Sequence, residues 1–591
     1  MADQKLDNLL NLALDSTEEE RERSLNLNAG NEDGSRMWDV IIKYSGNIEA
    51  LSGNGIRAVP LLGGYAVLTL PEDRIRETAG NPQVEFMELP KRLYFQVSQG
   101  LDASCIRPVQ EGYFDAGQNR VPGLETGLSG KGVLIGIVDS GIDWRHPDFR
   151  NEDGNSRILR LWDQSGQPGP EQSPPKGYLS GVEYTKEEID HALALPEREG
   201  NLLIRERDLS GHGTSVLGIA AGNGRASGGV NRGVAYESDI IAVKMGIPGT
   251  DSFPRTVELM EGVDYLVRQA KILGKPMALN ISFGNNYGSH TGDSLLETYL
   301  TNVSNIGRTV ICVGSGNNGN DSAHTAGKLK NRQKEEISFA VSSRQSSLNI
   351  QIWKSYADET EITIIAPSGQ KFGPLPEQIG TQRYQTGNTD ILIYYGKPGP
   401  FQVTQEIYME LIPQREFISS GVWRIELFGR NIKDGSYHLW LPGGGVRNPG
   451  TGFYYPVAEE TLTIPSTAEK VITVGAYDSR LNAPAEFSGR GGGDLTYPKP
   501  DLVAPGVEIT APVPGGGYRP VTGTSFAVPF VTGAAALMME WAIVRDNDPF
   551  LWGEKVKAYL RRGAKPLPGF EKYPNPVVGY GALCVRDSLP M

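Results

Sequence analysis

Between residues 130 and 480 the hydrophobic positions fall into short unbroken runs: Val133–Val138, Ile240–Val243, Ala278–Ser282, Thr309–Val313 and Val471–Val474. Continuous apolar runs of this length belong to strands buried on both faces, whereas half-exposed strands alternate. Between the second and third runs, Leu259, Val263, Leu266, Val267 and Ala270 recur on one helical face. Strands alternating with helices predict an α/β unit with a mostly parallel sheet and helices on both faces. Such a sheet puts functional residues at the carboxyl ends of its strands.

The flanking regions read differently. Leu6, Leu9, Leu10 and Leu14 are spaced for an amphipathic helix, and the charged run Glu18 to Arg23 follows, so residues 1–35 are expected to be a leader or polar tether. Met37–Tyr44, Tyr65–Leu70 and Val84–Leu89 predict strands, with a short helix opening at Pro71-Glu72-Asp73, where proline and acidic residues suit a first turn. That makes a small α+β unit over 36–96, which ends in the extended-looking segment Pro90 to Val97. Residues 150–208, rich in Pro, Gly and charge, read as an insertion with a helix over Lys186–Leu193. In 335–455 the period changes to two: Leu348/Ile350/Ile352, Ile362/Ile364 and Trp423/Ile425/Leu427 alternate between turns such as Pro367-Ser368-Gly369. This predicts an inserted β-sandwich or jelly roll that divides the α/β unit into 97–334 and 456–591.

With 591 residues, several units are expected. A net charge of −13 argues against nucleic acid and anionic membrane as partners. No run of about 18 apolar residues predicts a membrane span. Cys105, Cys312 and Cys584 are few and widely spaced, so neither a disulfide framework nor a metal site is expected from them. The amino terminus lacks a basic segment followed by a long apolar run, and synthesis in the cytoplasm is the expectation.

Four segments carry chemistry. Asp139 follows a buried strand and precedes Ser140-Gly141; His212 lies between two glycines at the start of a small-residue helix; Ser525 opens a helix that continues Phe526-Ala527-Val528-Pro529, with Pro529 expected in its first turn. A hydroxyl, an imidazole to take its proton and a carboxylate to orient the imidazole are the parts of nucleophilic acyl transfer. Alone, each residue has a commoner role as a turn residue, structural His or N-cap. Asn317, in the glycine-rich turn Gly314-Ser315-Gly316-Asn317 after another buried strand, adds a donor suited to a tetrahedral oxyanion.

With these motifs, and with His146-Pro147-Asp148, Asn280-Ile281-Ser282-Phe283-Gly284, Ala504-Pro505-Gly506 and Gly523 to Pro529, the chain resembles the subtilisin-like serine proteases over about 100–335 and 455–590. The resemblance implies a serine endopeptidase with Ser525 as nucleophile, His212 as general base and acid, and Asp139 as its orienter. The Asn317 side chain and the Ser525 N–H would form the oxyanion hole. Ser282, Phe283 and Gly284 would line a peptide cleft, and Gly284 and Gly316 would border a specificity pocket, roomy if judged by its glycines. The unit at 36–96 would be a propeptide that is cleaved near Gln96–Val97 and stays bound. No cofactor is implied. Asp148 matches a calcium ligand of some relatives, but the loop Asn223 to Gly229 lacks the companion pattern. The β-rich insertion is most similar to that of the clostridial Csp proteases, which implies a restricted protein substrate, a zymogen cleaved in spore germination, and a spore-associated site of action. The alternatives are a broad-specificity degradative protease and a signalling pseudoprotease.

Overall fold

The computed structural model describes residues 2–22, 24, 27, 37–51, 55–91, 103–111, 127–170, 172–247, 254–492 and 497–590. The expected cleavage point, Gln96 and Val97, lies outside them.

The amino-terminal unit is a four-stranded antiparallel sheet ordered Arg57–Leu61, Tyr65–Pro71, Met37–Tyr44, Val84–Glu88. Arg57–Leu61 is an edge strand that periodicity misses: Val59 and Leu61 are its buried positions, and Pro60 is tolerated there because an edge leaves one side of the ladder unpaired. One sheet face (Ile41, Val59, Tyr65, Val67) shares a core with the helices Thr256–Leu273 and Leu295–Val303 of the large unit. Polar contacts fix this docking. Glu88 accepts the Leu295 N–H at 3.0 Å, Asp264 accepts the Leu62 N–H at 2.9 Å, and Arg255 pairs with Asp39 at 3.0 Å. Lys91 is pinned to the start of the long helix, where its N–H donates to Thr256 Oγ1 at 2.8 Å.

The opposite face corrects the tether expectation for the part of 1–35 that is described. Asn8–Asp15 is a helix capped by the Asp7 side chain, and Leu6, Leu9, Leu10, Leu12 and Ala13 are buried. They pack between the small sheet and Leu392, Tyr394, Tyr408 and Ile412 of the insertion. An amphipathic face needs a partner to be buried, and this one comes from far along the chain, so local pattern does not reveal it.

Among the described residues the large unit holds a nine-stranded sheet. Its order is Ala483–Pro484, Ile472–Asp478, Thr309–Gly314, Met277–Ile281, Leu134–Asp139, Asp239–Lys244, Ile158–Asp163, Val182–Thr185, with Leu502–Pro505 beside Ile472–Asp478. Only the two outermost strands pair antiparallel. The region 150–208 is therefore not a pure insertion: Ile158–Asp163 runs parallel to Asp239–Lys244 within the sheet. Arg160 and the closing Asp163 interrupt its apolar residues, so no unbroken apolar run marks it.

The insertion is a β-sandwich of six- and five-stranded antiparallel sheets around Leu348, Ile350, Ile352, Ile362, Ile364, Trp423, Ile425 and Leu427. It begins with the strand His324–Lys328, not at 335, because His-Thr-Ala-Gly-Lys carries no apolar alternation. Two further expectations change. Cys105 and Cys584 form a disulfide across 479 residues, which leaves Cys312 buried and free. The helix through Thr524–Val544 is long and apolar enough to cross a membrane by composition, contrary to the expected lack of such a run. Most of it is buried, because it is the central helix of the large core.

Candidate active site

Asp139 is the last residue of the strand Leu134–Asp139, and His212 opens the helix His212–Ala221. Their side chains meet with Nδ1 of His212 2.6 Å from Oδ1 of Asp139. Both are buried. The approach depends on Gly213, where a Cβ would lie 2.0 Å from the Gly141 carbonyl oxygen and 3.1 Å from Asp139 Oδ1. A carboxylate on Nδ1 fixes the tautomer with the proton there, so Nε2 is the nitrogen able to accept a proton. The ring lies against Phe283 and Phe526, at centroid distances of 5.7 and 5.2 Å.

Asp208 was missed by the sequence reading. Its buried carboxylate accepts the Gly211 N–H at 2.9 Å, the Thr214 N–H at 2.9 Å, the Thr214 hydroxyl at 2.7 Å and the Ser140 hydroxyl at 2.8 Å. Ser140 Oγ in turn accepts the Gly213 N–H at 3.0 Å. One carboxylate thereby ties the turn after Asp139 to the first turn of the His212 helix. An acidic residue four positions before a helix-opening His was the available signal.

Ser525 is the second residue of the helix Thr524–Met539, where N–H groups have no intrahelical partner. Its hydroxyl donates to the Ser282 carbonyl at 3.0 Å, and the Ser282 hydroxyl donates to the Ser525 carbonyl at 3.0 Å. Pro529 explains the second bond. It lies inside the helix, beyond the expected first turn, and has no N–H for the carbonyl four residues back, which is that of Ser525. Ser282 supplies the missing donor. Asn280 Nδ2 donates to Ser282 Oγ at 2.7 Å, and Thr532 donates to Asn280 at 3.0 Å, which locks the arrangement from below. For attack, the Ser525 hydroxyl must turn from the Ser282 carbonyl to the imidazole.

Asn317 follows the strand Thr309–Gly314, and its Oδ1 accepts the Thr524 N–H at 3.1 Å. That bond commits the oxygen end and leaves the NH2 end as the donor, as an oxyanion site needs. One side chain packs against both Gly284 and Gly316. A Cβ on Gly284 would lie 2.5 Å from Thr463 Oγ1, and one on Gly316, at φ +99°, 2.6 Å from Thr463 Cγ2. Thr463 occupies the space between them. The next residue, Ile464, exchanges both backbone hydrogen bonds with Asn285, at 2.8 and 2.9 Å, so this return segment from the insertion is sewn to the cleft wall.

Asp148 engages protein donors with its carboxylate and its carbonyl. One oxygen accepts the Ala226 N–H at 2.8 Å and the other the Tyr518 hydroxyl at 2.7 Å, while the Arg157 guanidinium donates to its carbonyl at 3.2 Å.

The description "Subtilase family" matches residues 130–397 and 450–581, and "Csp protease B prodomain" matches residues 4–91. The solved Clostridium perfringens CspB protease is 36% identical, with a TM-score of 0.73 over 82% of this chain and 96% of that one. Among curated relatives, the minor extracellular protease Vpr of Bacillus subtilis (strain 168) is 22% identical over 79% of this chain and 52% of its own length. The PI-type proteinase of Lactococcus lactis subsp. cremoris is 23% identical over 71% of this chain and 23% of its own length. The chain thus spans about half, or less, of these curated relatives.

Proposed function

This chain belongs to the subtilase family, and we propose that it is a serine endopeptidase that cuts its own prodomain, retains the cleaved piece and acts on a restricted set of proteins. The 2.6 Å contact between His212 and Asp139, with Ser525 at the adjoining helix start, carries the reading. The Ser525 oxygen attacks a peptide carbonyl while His212 Nε2 takes its proton. Asp139 stabilises the imidazolium, and the Asn317 amide with the Ser525 N–H receives the oxyanion. The imidazolium then protonates the leaving amine, and water attacks the acyl-enzyme by the same route.

Retention is supported by the two-sided hold on the prodomain, and restricted specificity by Thr463 between Gly284 and Gly316. A zymogen activated in spore germination is the substrate class we favour. The wild-type chain should appear as fragments of roughly 10 and 54 kDa if it is cut near Gln96 (the residue count times a typical residue mass), and Ser525→Ala should stay whole. An uncut wild type that is also inert to a serine-directed phosphonate overturns the enzyme reading. Rapid digestion of casein would favour the degradative alternative.

A further inference from the structure

We propose that His324, His438 and Glu460 form a binding site for a divalent ion of the zinc class, at the joint between the β-sandwich and the catalytic unit. His324 lies on the first strand of the sandwich, His438 on the strand Ser436–Trp440 paired with it, and Glu460 on the return segment to the catalytic unit. Nε2 of His324 is 3.2 Å from Nδ1 of His438, which is 2.7 Å from Glu460 Oε2. The three ligand atoms lie within 4.8 Å of one another. Two nitrogens bound to one tetrahedral ion stand about 3.3 Å apart, so the imidazole pair already has the required separation. A modest closure of the glutamate completes the set.

The supporting contacts are those a metal site uses to aim its ligands. Nδ1 of His324 is 3.3 Å from the Val457 carbonyl, which takes the proton on that side and leaves the Nε2 lone pair facing the cluster. Trp440 stacks against both rings, at centroid distances of 4.8 Å to His324 and 5.2 Å to His438, and holds them nearly coplanar, 6° apart. Glu460 has φ +58°, a backbone conformation held by its N–H bond to the Gly491 carbonyl at 3.0 Å. His290, stacked on the same Trp440, stands outside the donor set because its two nitrogens face the Leu462 and Asn286 carbonyls. The side chains of His438 and Glu460 remain 14% and 16% exposed, so an ion has a way in. Two imidazoles and one carboxylate suit zinc better than calcium or magnesium. Binding displaces the proton on His438 Nδ1 to solvent and leaves the fourth position to water.

Tag-free full-length protein, stripped with a chelator and dialysed, should take up about one equivalent of Zn2+ by elemental analysis, and its unfolding midpoint should rise with Zn2+. Co2+ should give the visible absorption of a tetrahedral site with nitrogen ligands. Glu460→Gln and His438→Gln should each weaken Zn2+ binding at least tenfold, while Glu459→Gln should leave it unchanged. The Co2+ spectrum of the wild type decides the matter even if a variant fails to fold. A folded wild type that binds no Zn2+ or Co2+, or variants that bind as tightly as wild type, overturns the proposal.

Discussion

Replacing Asp208 with Asn tests whether catalysis depends on a residue that never touches substrate. The exchange keeps the shape of the side chain but turns one oxygen into an N–H2 group. The carboxylate accepts two bonds from Thr214, on one oxygen, and bonds from Gly211 and Ser140 on the other. Whichever way the amide settles, one backbone N–H, of Gly211 or of Thr214, faces the new NH2 group, and the hydroxyl on that side has to turn and accept instead. A buried donor left unsatisfied costs about 1–3 kcal/mol, and bonds to a charged acceptor are worth about 1.5–3 kcal/mol. A stability loss of about 1–3 kcal/mol follows, and the helix start also loses its compensating negative charge. The turn after Asp139 and the first turn of the His212 helix then shift relative to each other, and a displacement of about 1 Å at reacting groups costs on the order of 100-fold in rate. Well below the unfolding midpoint, kcat on a peptide substrate and the rate of phosphonate labelling should both fall by about that factor, with KM nearly unchanged. A folded Asp208→Asn chain that turns over within about threefold of wild type refutes this reasoning.

The hold on the prodomain should depend on pH. Burial, the largest influence on each, pushes Asp7 up to about 6 and Glu406 up to about 7, both near the contact of the amino-terminal helix with the β-sandwich. A carboxyl with a raised folded pKa binds more protons in the docked state, so stability falls as pH rises from the unfolded value to the folded one. The urea midpoint for release of cleaved prodomain should drop between about pH 4 and pH 7, by up to about 1.4 kcal/mol per unit for each group; a midpoint that rises with pH contradicts this. Under denaturing conditions without reductant, alkylation should modify Cys312 alone, and all three cysteines after reduction; three modified before reduction would rule out the Cys105–Cys584 bond. Thr463→Gly should open the pocket between Gly284 and Gly316 and raise kcat/KM for substrates with a large apolar residue before the scissile bond about tenfold relative to small ones. An unchanged ratio would mean that Thr463 does not limit the pocket.

The parts of the site at strand ends and helix starts were legible because their signals are local. A strand buried on both faces has to be apolar throughout, so Leu134–Asp139 and Thr309–Gly314 announce themselves and point to Asp139 and Asn317. What stayed hidden depends on partners distant in the chain. The helix Asn8–Asp15 looks like a solvated leader until Tyr394 and Tyr408 arrive to cover it. Cys105 has no meaning without Cys584. Gly284 and Gly316 suggest open space only while Thr463, brought back from beyond the sandwich, is left out of account. Asp208 is a further case, since a polar residue in a loop shows its acceptor role only when the groups it serves converge.

The two-sided packing also explains why cutting the chain near Gln96 need not free the prodomain. Its sheet gives one face to the helices Thr256–Leu273 and Leu295–Val303 and the other to its own amino-terminal helix, which the sandwich covers in turn. One broken peptide bond between Lys91 and the large unit removes none of these contacts. Release must separate Glu88 from the Leu295 N–H, Asp264 from the Leu62 N–H, and Asn8 from Glu406, whose carboxylate lies 2.5 Å from the Asn8 amide. The helix and the sheet therefore have to leave together, because each buries the apolar face of the other. The sandwich acts here as the second jaw of a clamp whose first jaw is the catalytic unit.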